Sequence, residues 1–512
     1  MPKGDSTYYD QEQAHRAPIF KHTIAVAGES VLQYDDTAAK QWLLSSVWWL
    51  IFVTTLGFTI AHELTTPNLF AGIPWLLFSR LRPMHVNGVI WAWLTSMYWG
   101  ALFYILPRLT GRPGIWGGKL AYWMSWAWNI VILAGEIFLA FGYTQGKEYW
   151  EYIWPVDIAL LIVWAILITI VIMTVLERRV KPLYVTIWWF LAAPLWIFFD
   201  YSIANVIWSP GTLLGNGVRG YVSSGSMPTP LHDVMFNWWG SHNLFGLWLT
   251  PMLIALTYYL VPRITGTPLF SHTLSLLSFW GIAFFYAGVG HHHLLQAPIP
   301  SWLRTVAVIN SLLILAAVIA FFSNIWGTMR GNWLKFITNL PLRFTITGFI
   351  FYFLVNVQGA GQSVPDFNNM FHFTNWTIAH AHLALLGGFT ILGEGVIAYM
   401  IPQIYKKPLW SERLLNWQYW LITIGFTGFF FALTFASFLQ AQGWYIGMPV
   451  VNTLPFLLPH YIMRAFFGGM IWLSSLIQAY IIYRTLWSDT VTKRSQELRP
   501  FILAGRKSTS SS

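Results

Sequence analysis

Six histidines stand at the ends of apolar runs in this 512-residue chain, and their spacing suits metal and cofactor ligation. His380 and His382 are two residues apart, which on a helix is roughly 200° around the axis, so they face opposite sides. Two separate flat cofactors flanking that helix would each receive one imidazole. His292 and His293 differ by about 100° and can converge on one ion together with His242. Three imidazoles with an open position form a catalytic arrangement that suits copper, zinc or iron.

Haem is the flat cofactor that fits these histidines. The chain has no cysteine, which excludes disulfides, thiolate zinc sites, iron–sulfur clusters and covalent c-type haem attachment, and histidine is a usual axial ligand of haem iron. The sixth histidine, His85, offers one more such ligand. The alternative is that histidines within a membrane only hydrogen-bond neighbouring helices. Hydrogen bonding between helices explains a single histidine better than six histidines at one depth. Whether the six lie at one depth depends on the helices that carry them.

The composition is that of a protein that crosses a membrane many times. Hydrophobic residues make up 56% and charged residues 9% of the chain, whereas a soluble domain carries about 25% charged residues. A soluble globular protein and a disordered chain are therefore excluded. Twelve apolar runs are long enough to span a bilayer, which predicts an all-α integral membrane protein with twelve transmembrane helices. The runs are 43–62, 84–106, 119–142, 156–176, 185–207, 234–261, 271–293, 303–326, 338–359, 376–401, 417–440 and 459–483.

The basic residues predict the orientation of these helices. Placing both termini and the loops after even-numbered helices on one side puts 23 of the 29 basic residues there, so we expect both termini in the cytoplasm. The same rule accounts for the net charge of +10, and no nucleic-acid partner is expected. All six histidines then lie at the outer ends of helices 2, 6, 7 and 10. The expected organisation is a cytoplasmic segment 1–42, a twelve-helix catalytic domain 43–487 and a cytoplasmic polar tail 488–512.

Four strings around the histidines resemble subunit I of the haem–copper oxidase superfamily, and specifically its C-type branch, the cbb3-type cytochrome c oxidases. The resemblance runs from about 78 to 484. Its strings occur in the family's order with compatible gaps: LRPMHVNGVIWAW, WWGSHNLFG, FWGIAFFYAGVGHHHLL and WTIAHAHLALLG. It implies that His85 and His382 are the axial ligands of a low-spin haem b and that His380 is the proximal ligand of a high-spin haem b3. It also assigns the copper CuB to His242, His292 and His293.

Two positions discriminate among branches of the superfamily. Other oxidase branches have an active-site tyrosine four residues after the first copper histidine, and NO reductases have a glutamate there, but this chain has Gly246. In C-type oxidases the tyrosine comes instead from helix 7, six residues before the copper histidine pair, where this chain has Tyr286. The resemblance therefore implies an O₂ reductase. His291 stands where the family usually has proline, and it remains an alternative copper ligand.

A proton path to a site in the outer leaflet must cross the cytoplasmic half of the protein. Ser271, Ser275 and Tyr286 fall within about a 60° stripe on helix 7, and Thr250 and Asn324 match polar positions of the family's single proton channel. The alternative for each hydroxyl is a bond to its own helix. Buried carboxylates within a membrane are usually functional, so Glu394 is a further candidate for carrying protons, independent of the resemblance.

Three charged residues are expected near the outer surface. Glu148 matches a family residue that binds calcium next to the haem propionates, although a solvated surface carboxylate is an equal alternative. Arg82 and Arg464 could pair with the propionates, while a snorkelling arginine would stand at the same helix end as Arg464.

The expected protein is the catalytic subunit of a respiratory terminal oxidase in a bacterial cytoplasmic membrane, with its active site in the periplasmic half. By resemblance, it takes electrons from c-type cytochrome subunits or a soluble cytochrome c and reduces O₂ to water with proton uptake and pumping. An NO reductase on the same fold and a non-catalytic haem-binding transporter are the alternatives.

Overall fold

Twelve long helices account for most of the computed structural model, which describes residues 33–207 and 230–487. Each is long and apolar enough to cross a bilayer. They are α1 Thr37–Glu63, α2 Phe78–Thr110, α3 Gly118–Ala140, α4 Trp154–Leu176, α5 Val185–Asn205, α6 Leu231–Thr265, α7 His272–Leu294, α8 Ser301–Met329, α9 Leu340–Gln362, α10 Asn375–Tyr405, α11 Glu412–Tyr445 and α12 Val450–Trp487.

The prediction of an all-helical bundle with twelve spans is confirmed. Helix α1 begins at Thr37, within the predicted N-terminal segment 1–42, and most other helices extend a few residues beyond their apolar runs because polar residues continue the hydrogen-bonded turns. Short helices also occupy three of the connectors, at Pro74–Leu76, Trp333–Thr338 and Pro365–Phe371. The predicted tail 488–512 lies outside the described residues, as do residues 1–32 of the N-terminal segment and 208–229 of the Gly- and Ser-rich connector.

Helices α2, α6 and α10 form the inside of the bundle. The apolar stretches of α2 and α6 are buried along nearly their whole length, and that of α10 along most of it. The outer helices instead expose large apolar side chains such as Trp48, Trp123 and Phe284. Such apolar outer faces are expected where lipid, rather than water, surrounds the helices. The three inner helices are also three of the four that carry the six histidines.

The same helix ending occurs three times, once on each inner helix. In each case a proline lies four residues before a left-handed residue that stops the helix, and the backbone N–H of that residue donates to the proline carbonyl. The pairs are Pro107 with Gly111, Pro262 with Gly266, and Pro402 with Lys406. Because the inner helices are every fourth helix, the repeat suggests three groups of four.

The loops that follow these endings repeat as well. After each one, the backbone N–H of an aromatic residue donates to a threonine hydroxyl on the last helix of its group, at 2.9 to 3.0 Å. The pairs are Trp116 with Thr174 on α4, Phe270 with Thr328 on α8, and Trp410 with Thr485 on α12. We therefore divide the bundle into a first group α1–α4, a second group α5–α8 and a third group α9–α12, whose positions can be compared directly.

Candidate functional site

The inner helices widen into π-helix directly after their histidines. These segments are Gly88–Leu94, Leu244–Leu249 and Leu383–Thr390. They follow His85, His242 and His382 within three residues. π-Helical turns are rare and are found frequently at functional sites. The extra residue in each turn changes which side chains face the bundle interior, and apolar periodicity alone does not predict it.

Three of the predicted residues form one cluster. His242 on α6 and His292 and His293 at the end of α7 bring ring nitrogens within 4.8 Å of one another. Their ring centres are 4.5 to 5.1 Å apart. In the described part of the chain this is the one group of three or more histidine or acidic residues that could hold a metal ion, and His291 is outside it. We call these three residues the histidine triad.

The hydrogen bonds of the triad leave nitrogen atoms available for a metal ion. Nδ1 of His292 lies 2.8 Å from the hydroxyl of Ser311 on α8, whereas its Nε2 is buried without a partner. Nδ1 of His242 lies 2.9 Å from Nε2 of His293, so two ring nitrogens face each other directly. A metal ligand is typically held by a hydrogen bond at its other ring nitrogen, as Ser311 holds His292. The donor set and the unpartnered nitrogen fit one transition-metal ion.

His380 shares a cavity with the triad. The walls of this triad cavity include Tyr286 and Thr250. Nδ1 of His380 lies 2.8 Å from the amide oxygen of Gln358, which leaves Nε2 for a ligand. The backbone of α9 passes beside this ring at Gly359, where a Cβ would lie in van der Waals contact with it, 3.4 Å from Cε1 of His380. The arrangement fits a flat group bound through His380 opposite the triad.

His85 and His382 face each other across a second cavity, the paired-histidine cavity. Their rings are nearly parallel, at 17°, with centres 6.3 Å apart. Nδ1 of His85 lies 2.8 Å from the carbonyl of Val53, and Nδ1 of His382 lies 2.8 Å from that of Ile378. Two metal–nitrogen bonds of roughly 2 Å, together with the distance from each bonded nitrogen to the centre of its ring, span about this separation. The two imidazoles therefore fit as ligands of one metal ion held between them.

Helix α10 separates the two cavities. His380 lines the triad cavity and His382 lines the paired-histidine cavity, which is the opposite orientation expected for residues two apart on a helix. Residues Ala381 and Thr377 line both cavities. Two bound groups would accordingly lie on either side of a single helix.

The predicted charged residues line the paired-histidine cavity but differ in their partners. Arg464 is 7% exposed, and its Nε and Nη1 atoms are buried without a hydrogen-bond partner. Such an arginine requires an anionic group, which a carboxylate of a bound cofactor would supply. Arg82 instead forms an ion pair with Glu148, so neither of these two side chains stands free. The snorkelling alternative for Arg464 does not agree with its burial.

Glu151 is a buried acid next to this pair that the sequence interpretation overlooked. Its carboxylate accepts a 2.7 Å hydrogen bond from the side-chain amide of Asn87. Burial, with the nearby negative charge of Glu148, raises the pKa of Glu151 to about 7. The string EYWE could have indicated this residue, because it places a second glutamate three residues after Glu148, close enough for both side chains to lie near the same site.

The raised pKa of Glu151 predicts how stability depends on pH. The folded protein keeps this proton up to about pH 7, whereas the unfolded chain loses it near its ordinary value of 4.5. The free energy of unfolding should therefore fall by at most about 3 kcal/mol as pH rises through that window, and then level off. Glu151→Gln should remove this contribution and raise the melting temperature relative to wild type at pH 8. Thermal denaturation in detergent from pH 5 to 8 measures this, and the exposed acid variant Glu412→Gln should retain the wild-type slope.

Tyr286 lies against the first histidine of the triad. Its ring centre is 5.3 Å from that of His242, with the two planes 28° apart. The ring fills the space beside Gly246, where a Cβ would lie only 1.6 Å from Cε1 of Tyr286. A tyrosine from α7 thus occupies the room that a side chain at position 246 of α6 would need. The absence of a side chain at residue 246 and the presence of Tyr286 are two parts of one packing arrangement.

Polar side chains connect α6, α7 and α8 on the side of the bundle away from the histidines. The side-chain amide of Asn324 donates to the backbone carbonyl of Ser271 at 2.8 Å and to the hydroxyl of Ser275 at 2.9 Å. It also reaches the hydroxyl of Tyr258 at 3.4 Å, and that hydroxyl lies 3.2 Å from Oγ of Ser278. Ser271 itself caps α7 by accepting from the N–H of Leu274.

This polar cluster differs from the predicted stripe in two ways. It includes Tyr258 and Ser278, which the sequence interpretation did not select because Tyr258 is embedded in an apolar run. It also ends at Ser278, eight residues or about 12 Å along α7 from Tyr286. Thr250 lies beyond that gap, in the triad cavity. Glu394 is not part of this cluster, since its carboxylate contacts Gln418 of α11.

Comparison with known proteins finds a matching family, relatives in sequence and a structure with the same fold. Residues 37–470 match the family described as Cytochrome C and Quinol oxidase polypeptide I. The chain is 30% identical to the cbb3-type cytochrome c oxidase subunit CcoN1 of Stutzerimonas stutzeri, over 88% of this chain and 95% of that protein. It is 23% identical to a nitric oxide reductase subunit of the same organism, over 72% of this chain and 77% of that protein. A cryo-EM structure of a heme-copper terminal oxidase dimer has the same fold, with a TM-score of 0.71 and 15% identity, over 88% of this chain and 84% of that chain.

Proposed function

The chain belongs to the cytochrome c and quinol oxidase polypeptide I family, and we propose that it is the catalytic subunit of a cbb3-type terminal oxidase that reduces O₂ to water. The observation that carries this proposal is the position of Tyr286, stacked beside His242 in the space left by Gly246. An ionisable hydroxyl beside the histidine triad can supply a proton to the substrate, which an apolar residue there could not. The similarity to a nitric oxide reductase makes NO the competing substrate in the test below.

The histidines divide between two haems and one copper ion in this proposal. His85 and His382 bind the low-spin haem b, His380 binds the high-spin haem b3, and the triad binds CuB. When bound, the haem b3 iron and the copper supply the redox chemistry that cleaves the O–O bond. The protein positions these groups through the bonds to Ser311, Gln358 and the two backbone carbonyls described above, which determine which ring nitrogen is available.

Charged groups of the paired-histidine cavity hold the propionates of haem b. The unpartnered guanidinium of Arg464 is the anchor that best supports this assignment, and Arg82 lines the same cavity. Glu148, with the buried Glu151 nearby, is the proposed calcium ligand, because carboxylate oxygens are the ligands that calcium prefers.

Protons reach the triad cavity from the cytoplasm through the second helix group. The cluster of Ser271, Ser275, Asn324, Tyr258 and Ser278 forms the lower part of this path, and ordered water between Ser278 and Tyr286 completes it. Thr250 lines the upper end. Proton pumping coupled to the same path is part of the proposal.

The chain is expected to lie in a bacterial cytoplasmic membrane with both termini in the cytoplasm and its histidines in the periplasmic half. Electrons come from c-type cytochrome subunits or a soluble cytochrome c, since the chain has no cysteine to attach a haem c itself.

Metal and haem quantification on the purified complex, with O₂ and NO consumption assayed side by side, tests this function. We expect two haems and one copper ion per chain, and O₂ consumption faster than NO consumption. Iron in place of copper with faster NO consumption would show an NO reductase instead. Haem without copper and without turnover of either gas would indicate a non-catalytic haem protein.

A further inference from the structure

The third helix group contains a buried polar cluster in the same relative place as the proton path of the second group. In the second group the cluster lies between inner helix α6 and the two helices that follow it. In the third group the side-chain amide of Gln418 on α11 donates to the carboxyl of Glu394 on α10, and that of Gln478 on α12 donates to the backbone carbonyl of Glu394. Gln418 and Ser278 even correspond in register, because each lies seven residues after a serine that caps its helix, Ser411 and Ser271.

The Glu394 carboxyl is deeply buried and incompletely hydrogen-bonded. Glu394 is 1% exposed, and its Oε2 accepts from the side-chain amide of Gln418 at 2.9 Å. Its Oε1 has no partner, and neither do the side-chain oxygens of Gln418 and Gln478. Three buried acceptors without donors require protons or bound water, because an unpaired polar atom in a dry interior is costly.

Among the described residues, Glu394 does not belong to an ion pair that would explain a buried charge. The groups packed around this segment are uncharged: Ser474 of α12 donates to the backbone carbonyl of Gln418. A Cβ added at Gly393 would meet Met97 and Trp93 of α2, and one added at Gly395 would meet Phe344 of α9. An acid retained in such surroundings is best explained by a proton that it gains and loses.

The cluster lies directly beneath the paired-histidine cavity. Thr390 is one helical turn from Glu394 on α10 and lines that cavity, where it accepts a 3.0 Å hydrogen bond from the indole of Trp93. On α12, Ile471 lines the cavity and Ser474 lies three residues below it. Glu394 is thus the buried acid on the floor of the cavity that holds His85 and His382.

We propose that Glu394 takes up one proton when the paired-histidine centre accepts an electron and releases it when that electron leaves. This inference rests on the proposed function, which places haem b in that cavity. The electron comes from the c-type cytochrome donor of the proposed function, and one proton from the surrounding water adds to the carboxylate, forming an O–H bond at the unpartnered Oε1. When the electron moves from this centre to the next cofactor, the carboxyl returns its proton to water. The advantage is electrostatic, because adding a proton offsets the negative charge added to a medium of low dielectric constant.

Electrochemically induced infrared difference spectroscopy on the purified holoenzyme tests the proposal. Reduction of haem b should produce a signal from a protonated carboxyl C=O that shifts in D₂O. Glu394→Gln should lose this signal while retaining haem content, and Glu394→Asp should restore a signal at a shifted position. Gln418→Leu, which removes the amide donor but keeps the acid, should shift the signal without abolishing it. The matched control is Glu136→Gln, another buried acid, whose hydrogen bond to Tyr152 lies in the first group.

Two results would overturn the inference. One is a carboxyl signal that persists in Glu394→Gln, and the other is a wild-type holoenzyme that shows no deuterium-sensitive carboxyl signal on reduction, which needs no variant. A purified complex without haem would instead overturn the proposed function, so the two failures are distinguishable.

Discussion

Replacing His292 with alanine should eliminate copper binding and O₂ reduction. His292 is the triad member whose environment is most completely built for a metal ion: Nδ1 meets the hydroxyl of Ser311 at 2.8 Å, and Nε2 is buried without a partner. Removing the imidazole leaves two of the three protein ligands, too few to hold the copper ion. The loss of metal affinity should exceed the roughly 10–100-fold that removal of an outer hydrogen-bond partner costs.

Copper per haem, measured on the purified complex, is the direct readout. His291→Ala is the matched control, since this neighbouring histidine lies outside the triad and should retain copper and turnover. Ser311→Ala should fall between the two, with copper affinity reduced roughly 10–100-fold because His292 keeps its ring but loses its orientation. Copper retained in His292→Ala and lost in His291→Ala would assign the site to the other register of the three consecutive histidines.

The sequence predicted the parts of this site that depend on helical periodicity. The opposite orientation of His380 and His382 follows from a two-residue spacing on any helix, and the π-helical segment begins only after His382. The convergence of His242 with His292 and His293 followed from helix order and membrane depth. These features are local or topological, so they survive uncertainty of several residues in the helix boundaries.

Other features depend on tertiary packing and could not be predicted from one sequence. Tyr258 resembles a core aromatic in an apolar run, and only Asn324 from α8 and Ser278 from α7 make its hydroxyl part of a polar cluster. Arg82 and Arg464 look equivalent in the sequence, yet the ion pair with Glu148 occupies one and leaves the other unpaired. The relation between Gln418 and Ser278 appears only when the three helix endings are superposed in register.

The largest effect on chemistry without loss of cofactors should come from Tyr286→Phe. The ring fills the space beside Gly246 and stacks near His242, and phenylalanine preserves that shape. The variant should therefore fold and retain haem and copper in wild-type amounts. What it lacks is the hydroxyl, which in the proposed function donates a proton to oxygen at the metal cluster.

Loss of a positioned proton donor typically lowers a rate by about 10²–10⁴-fold, so O₂ consumption by Tyr286→Phe should fall by at least about 10²-fold. Tyr98→Phe is the matched control: it is also a fully buried tyrosine, but its hydroxyl approaches only the backbone carbonyl of Leu249 and does not line the triad cavity. Its turnover should remain near that of wild type. If Tyr286→Phe retained full O₂ consumption with normal cofactor content, the tyrosine would be a packing residue, and the choice of O₂ rather than NO as the substrate would lose its main support. A variant that loses O₂ consumption and retains both haems and copper would instead separate the proton donor from the metal site that it serves.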